Sequence, residues 1–91
     1  MLDELKAILG IIGTDQDADL NKIIARGQKH ITDLAGVTLD FEAEGLAKSL
    51  CLNYCRYDFN NASEYFEENF KSEILRLQLQ SAVIDYAANQ S

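Results

Sequence analysis

Proline is absent from this sequence of 91 residues, and glycine occurs only five times. All-β domains of this length are built on many tight turns, which draw on those two residues. The shortage therefore turns the composition toward an all-helical chain. Cationic side chains are also scarce: 8 Lys and Arg stand against 15 Asp and Glu, a formal charge of −7. Phosphate backbones are gripped by cations through counterion release, so this chain is a poor candidate for holding nucleic acid or an anionic membrane. It could still sit beside DNA without holding it. The two cysteines, Cys51 and Cys55, would be a thin disulfide framework for a secreted domain. The opening residues Met1 to Lys6 are acidic rather than basic, and the apolar run Ala7 to Ile12 is cut by Gly10. It is far too short to span a bilayer. The expectation is a soluble protein of a reducing cytoplasm.

Apolar residues make up 47% and charged residues 25%, an ordinary globular balance. A chain this short forms one domain, residues 1–91, and buries about 60–65% of its unfolded surface. No internal repeat or linker interrupts it.

The pattern predicts four helices in a small bundle. The first covers residues 3–9, with Leu2, Leu5, Leu9 and Ile12 in one row and Gly10 and Gly13 bracketing its end. The second covers residues 16–35. Thr14, Asp15 and Asp17 are candidate N-caps, Leu20, Ile23, Gly27, Ile31 and Leu34 form an apolar stripe, and Gly36 is a C-cap. Gly27 on that stripe costs about 1 kcal/mol relative to Ala, which close approach of another helix would offset. The third covers residues 42–59 after Asp40, with Ala43, Leu46, Ala47, Leu50, Cys51 and Tyr54 in line. Its end, Leu50 to Phe59, is apolar on nearly all sides, which implies burial all round, some of it against a neighbouring subunit. Asn60-Asn61 breaks the chain, and Asn61 with Glu64 has the spacing of a capping box. A long C-terminal helix then runs from residue 62 toward Tyr86. It carries two stripes: Phe66, Phe70, Ile74, Leu77 and Ile84 on one side, and Leu75, Leu79, Ala82, Val83 and Tyr86 on the other. Successive residues turn about 100°, so one stripe serves the subunit's own core and the second needs a partner.

The chemical motifs are weak. Asp15-Gln16-Asp17-Ala18-Asp19 opens like a calcium loop, but Leu20 stands where that loop needs Gly and Arg26 where it needs Glu. An acid-rich helix start explains it better. Cys51 and Cys55 share a helical face, and only His30 could join them, which is short of a zinc site. They read as buried thiols. His30 reads as a partly exposed helix residue, with a pH switch the sharper alternative. The paired acids Glu42 with Glu44 and Glu67 with Glu68 read as solvated surface. No phosphate loop or Ser-His-Asp grouping is present, so neither catalytic residues nor a cofactor or metal site is expected. The remaining unusual feature is aromatic: Tyr57, Phe59, Tyr65, Phe66 and Phe70 straddle the Asn60-Asn61 break. A small core could use them, and aromatics also anchor interfaces.

Three segments in order carry a family resemblance: LDELKAILGI followed by the break TDQDADL, then NKIIARGQKHITDLAGVTLD, then YCRYDFNNASEYFEENFKSEILRLQLQ. With these the chain resembles the phage and prophage head–tail connectors, small helical adaptors also called head-completion or DNA-packaging proteins. Gly10 departs from the family, which often carries a basic residue near there. The resemblance implies a helical bundle that assembles as a ring under the capsid portal, at the head–tail junction of a virion made in the host cytoplasm. The ring would extend the DNA channel, dock the tail or stopper and help retain packaged DNA. The implied partners are further copies of itself, the portal and the tail or stopper protein. DNA would pass through without specific binding, no membrane would be involved, and no cofactor or catalysis is implied. A ring needs two different adhesive faces on each subunit, and a negative wall lets a duplex slide. The expected interface residues are Tyr57, Phe59, Tyr65, Phe66, Phe70, Leu75, Leu79 and Tyr86, with Glu64, Glu67 and Glu68 on the channel or rim. The rival reading is a small acidic regulatory module, of antitoxin or DNA-mimic type, acting on a basic protein.

Overall fold

The computed structural model describes the backbone of residues 1–90 and the side chains of residues 1–83. Among the described residues all regular structure is helical: α1 (Leu2–Leu9), α2 (Asp17–Ala35), α3 (Leu46–Phe59), a 3₁₀ turn (Ser63–Tyr65), α4 (Phe66–Asn69) and α5 (Lys71–Gln90). Among the described residues there are five α-helices where four were predicted, because the last predicted helix is divided.

Helix ends follow from a few residues. Gly10 takes a left-handed conformation (φ 72°) that ends α1, with Ile11 N–H donating to Lys6 O at 2.9 Å. Gly36 (φ 77°) ends α2 by donating to Thr32 O. Gly36 was the expected C-cap, and Gly10 is one of the two glycines expected to bracket the end of α1. The start of α2 differs from expectation: Gln16 occupies the N-cap and makes no side-chain cap bond. Asp17 is turned instead toward Lys6, 2.8 Å away. Lys6 also donates to Gly13 O, so it fastens the α1–α2 loop at both ends.

The third helix starts at Leu46, not at residue 42. Asp40 does accept a hydrogen bond from Glu42 N–H (2.9 Å), but this closes a local turn rather than a helix. Gly45 is fully extended (φ 161°), and a helix cannot pass through that geometry. Ala43 therefore lies exposed outside the helix.

The far end of α3 closes on Asn61, which is left-handed (φ 56°). Ala62 N–H donates to Tyr57 O at 2.9 Å and Asn61 N–H to Asp58 O at 3.0 Å. This paired pattern is a Schellman motif, with Asn in the place Gly usually takes. The Asn61–Glu64 capping box does not form; the following turn is 3₁₀ and lacks a side-chain cap bond. A second bend at Phe70 (φ −117°, ψ 24°) separates α4 from α5. Phe70 is held there by stacking on Phe66, with ring centroids 5.0 Å apart, and by an edge contact to Tyr57 at 5.6 Å.

The core lies where α2 crosses α3. Leu20, Ile23, Ile24, Gly27 and Ile31 of α2 meet Leu50, Cys51 and Cys55 of α3. Leu5, Phe66, Ile74 and Leu77 complete it. Gly27 marks the closest approach: a Cβ there would lie 2.9 Å from Cys55 Sγ and 3.2 Å from Cys51 Sγ. The glycine predicted to admit a neighbouring helix does so. Leu52, Tyr54, Tyr57 and Phe59 are half-buried against this core, so the chain itself supplies much of the burial that the all-round apolar α3 requires. Lys48 is buried as well, with Nζ 2.6 Å from Glu4 Oε2 and 2.7 Å from Glu44 Oε1.

Candidate assembly surface

The aromatic residues expected at an interface divide into three groups. Phe66 is fully buried, and full burial of such a side chain contributes about 1.5–3 kcal/mol. Its place is the core rather than the surface. Its ring meets Tyr54, Tyr57 and His30 edge-on at 5.2, 5.9 and 6.3 Å. Tyr57, Phe59 and Phe70 are half-buried on the same core. Tyr65 alone of the five stands out, at 56% exposure. Tyr86 lies outside the described side chains, as does Ile84 of the core stripe.

His30 belongs to this aromatic corner. It stacks on Tyr54 with centroids 4.5 Å apart, and its Nε2 approaches Glu67 Oε1 to 3.1 Å without an aligned hydrogen bond. Burial, with Asp58 nearby, pushes the Tyr54 phenol above its usual range. Glu67 thus faces His30, whereas Glu64 and Glu68 are exposed and have no ion-pair partner among the described residues.

The second stripe of the last helix behaves as its periodicity implied. Ile74, Leu77 and Ser81 of α5 face inward, at 8, 3 and 2% exposure. Leu75, Leu79 and Val83 face outward, at 54, 60 and 68%. These three follow one another at four-residue intervals and so share one helix face. Beside them, a groove of about 320 Å³ separates α5 from the end of α2, lined by Leu34, Glu67, Lys71, Ile74, Leu75 and Gln78. Gln78 fixes this edge by donating to Leu34 O at 3.1 Å. Lys71 and Arg76, next to the stripe, have no carboxylate within ion-pair distance among the described residues.

A second exposed apolar patch was missed by pattern reading. Ile12 was placed in the α1 row, yet it is 97% exposed, with Ile8 at 48%. The left-handed Gly10 ends α1 before Ile12 can complete the row, and Gly13 (φ 92°) turns the chain again directly after it. A large apolar residue between two turn glycines was the available signal. Asp15 and Asp19 lie exposed just beyond, at the start of α2.

The cysteines are chemically quiet. Both are completely buried and not disulfide-bonded. Cys55 contacts Ile23 O at 3.7 Å, and its hydrogen bond with Cys51, together with burial, pushes its thiol pKa strongly upward. Among the described residues no group of three or more His, Cys, Asp or Glu is placed to hold a metal, and no helix is long and apolar enough to cross a membrane. Compared with protein-family models, curated proteins and solved structures, the chain has no match.

Proposed function

We propose that this protein is a structural adaptor of a tailed phage or prophage, one subunit of a ring between the capsid portal and the tail or stopper. The observation that carries the proposal is the outward stripe Leu75, Leu79 and Val83 on a helix whose opposite face already fills the core. Aliphatic side chains in register along a helix face lower the free energy of association when a partner covers them. The net charge of −7 suits a channel wall that must not hold DNA. The resemblance to head–tail connectors supplies the portal and tail as neighbours of the ring.

Sedimentation velocity over a wide concentration range, with electron microscopy of the heavy fraction, tests the proposal. A closed ring with a central channel is the expected result. A compact dimer at every concentration, with salt-sensitive capture of one basic protein, would replace the adaptor by an acidic regulatory module.

A further inference from the structure

The two exposed apolar patches lie at opposite ends of α2. Lys6, bonded to both Gly13 O and Asp17, holds the Ile12 turn at the start of α2. Gln78, bonded to Leu34 O, holds the middle of α5 at the end of α2. A helix of 19 residues is about 28 Å long, and the molecule is elongated, 48 × 25 × 17 Å. One copy cannot bring its own patches together.

The patches differ in shape and in charge. One is the turn at Ile12, nearly fully exposed between Gly10 and Gly13, with Ile8 half-exposed on the preceding helix. The exposed acids Asp15 and Asp19, without ion-pair partners among the described residues, follow in sequence. The other is concave: the groove lined by Leu34, Ile74 and Leu75, with Leu79 and Val83 exposed further along the outer face of α5. Among the described residues Lys71, which lines the groove, has no carboxylate within ion-pair distance, nor has Arg76, exposed on the same helix; the acid in the lining, Glu67, is turned to His30. A groove of about 320 Å³ has room for an isoleucine side chain.

We infer that the occupant of the α5 groove is the Ile12 turn of a second copy of this chain. The contact is head-to-tail: Ile12 of one subunit inserts between Leu34 and Leu75 of the next, with Asp15 and Asp19 toward Lys71 and Arg76. Two unlike patches make a heterologous interface, which closes into a ring or runs on as a filament, depending on the rotation between subunits. This inference rests on the self-assembling reading above and names the surfaces by which it occurs.

The experiment uses two surface variants of the full chain, Ile12→Asp and Leu75→Asp, each checked for native helicity by circular dichroism. Ile12→Asp loses the tip and keeps the groove; Leu75→Asp does the reverse. Each alone is expected to sediment as a monomer at concentrations where the unaltered protein assembles. Mixed in equal amounts they are expected to form a 1:1 dimer and nothing larger, because one intact tip and one intact groove remain. Assembly by Ile12→Asp alone would overturn the inference while leaving the ring proposal in place. Open filaments of the unaltered protein that are abolished in both variants would uphold the contact and refute the ring. An unaltered protein that stays monomeric at every concentration would overturn both. In a second arm, Lys71→Glu with Arg76→Glu should weaken assembly at least ten-fold, and mixing with an Asp15→Lys, Asp19→Lys chain should restore pairing. Failure of either result removes the charge pairing from the contact.

Discussion

Replacing Gly27 with alanine tests the crossing of α2 and α3 directly. Two effects oppose each other. Alanine in a helix interior is favoured over glycine by about 1 kcal/mol. Against that, the new Cβ would stand 2.9 Å from Cys55 Sγ, 3.2 Å from Cys51 Sγ and 3.4 Å from Tyr54 Cδ1. Both sulfurs are fully buried and Cys55 is tied to Ile23 O, so neither has free space to move into. Overpacking of such a site costs about 1–3 kcal/mol. With neither sulfur free to move, the cost falls in the upper part of that range, about 2–3 kcal/mol, so the packing effect should win and leave Gly27→Ala less stable by about 1–2 kcal/mol. For a domain of this size that corresponds to a fall in Tm of roughly 4–16 °C. Urea or thermal unfolding followed by circular dichroism would measure it. The double variant Gly27→Ala, Cys55→Ala should recover part of the loss, because removing Sγ vacates the volume the methyl enters. If Gly27→Ala equals or exceeds the unaltered protein in stability, helix propensity outweighs packing and the helices are not in close contact at this point.

Asn61→Ala should cost about 1–2 kcal/mol, since alanine lacks tolerance for the left-handed conformation, whereas Asn61→Gly should be neutral or slightly stabilising; equal urea midpoints for the two variants would contradict the Schellman assignment. The hydrogen bond from Lys48 holds the Glu4 carboxyl below its ordinary value of 4.5, so its contribution to stability is present above that pH and is lost as pH falls through the lowered native value. Glu4→Gln should accordingly flatten the fall in urea midpoint between about pH 5 and pH 3, and an unchanged slope would remove Glu4 from the acid response. Cys51 and Cys55 should resist a maleimide at pH 8 in the native protein and react stoichiometrically in denaturant; rapid native labelling would show that the core opens at α3.

The parts of the fold that were legible in the sequence are those decided locally. Gly10 and Gly36 end helices because only a residue that accepts positive φ can do so, and Leu20, Ile23 and Ile31 repeat at the helical period. Gly27 was informative because a glycine on an apolar face needs a tertiary reason. The misplaced elements depend on competition between local options. Asn61 could have capped the next helix through its side chain or ended the previous one through its backbone, and the four bonds available around Asn60-Asn61 favour the ending. The start of α3 turned on the extended conformation of Gly45, which periodicity cannot register. Phe66 and Phe70 looked alike in sequence, but one fills the core and the other bends the chain at its edge. The outward stripe of α5 was readable because its period is regular; the Ile12 tip was not, since its exposure depends on two successive turns.

The aromatic corner also bears on the order in which the chain acquires structure. Tyr57 and Phe66, in edge contact, are separated by nine residues, with the Asn61 turn between them. Gly27 and Cys55, at the helix crossing, are 28 apart, and Leu34 and Gln78 are 44 apart. Loop-closure entropy rises as the logarithm of loop length, so closing the α3–α4 corner costs about 1 kcal/mol less than the crossing. Folding that begins there presents Tyr54, Cys55 and Phe66 together as a template on which α2 can settle. The α5 edge, closed by the longest of these loops, joins afterwards, and the surface assigned to assembly becomes complete only once the core beneath it has formed.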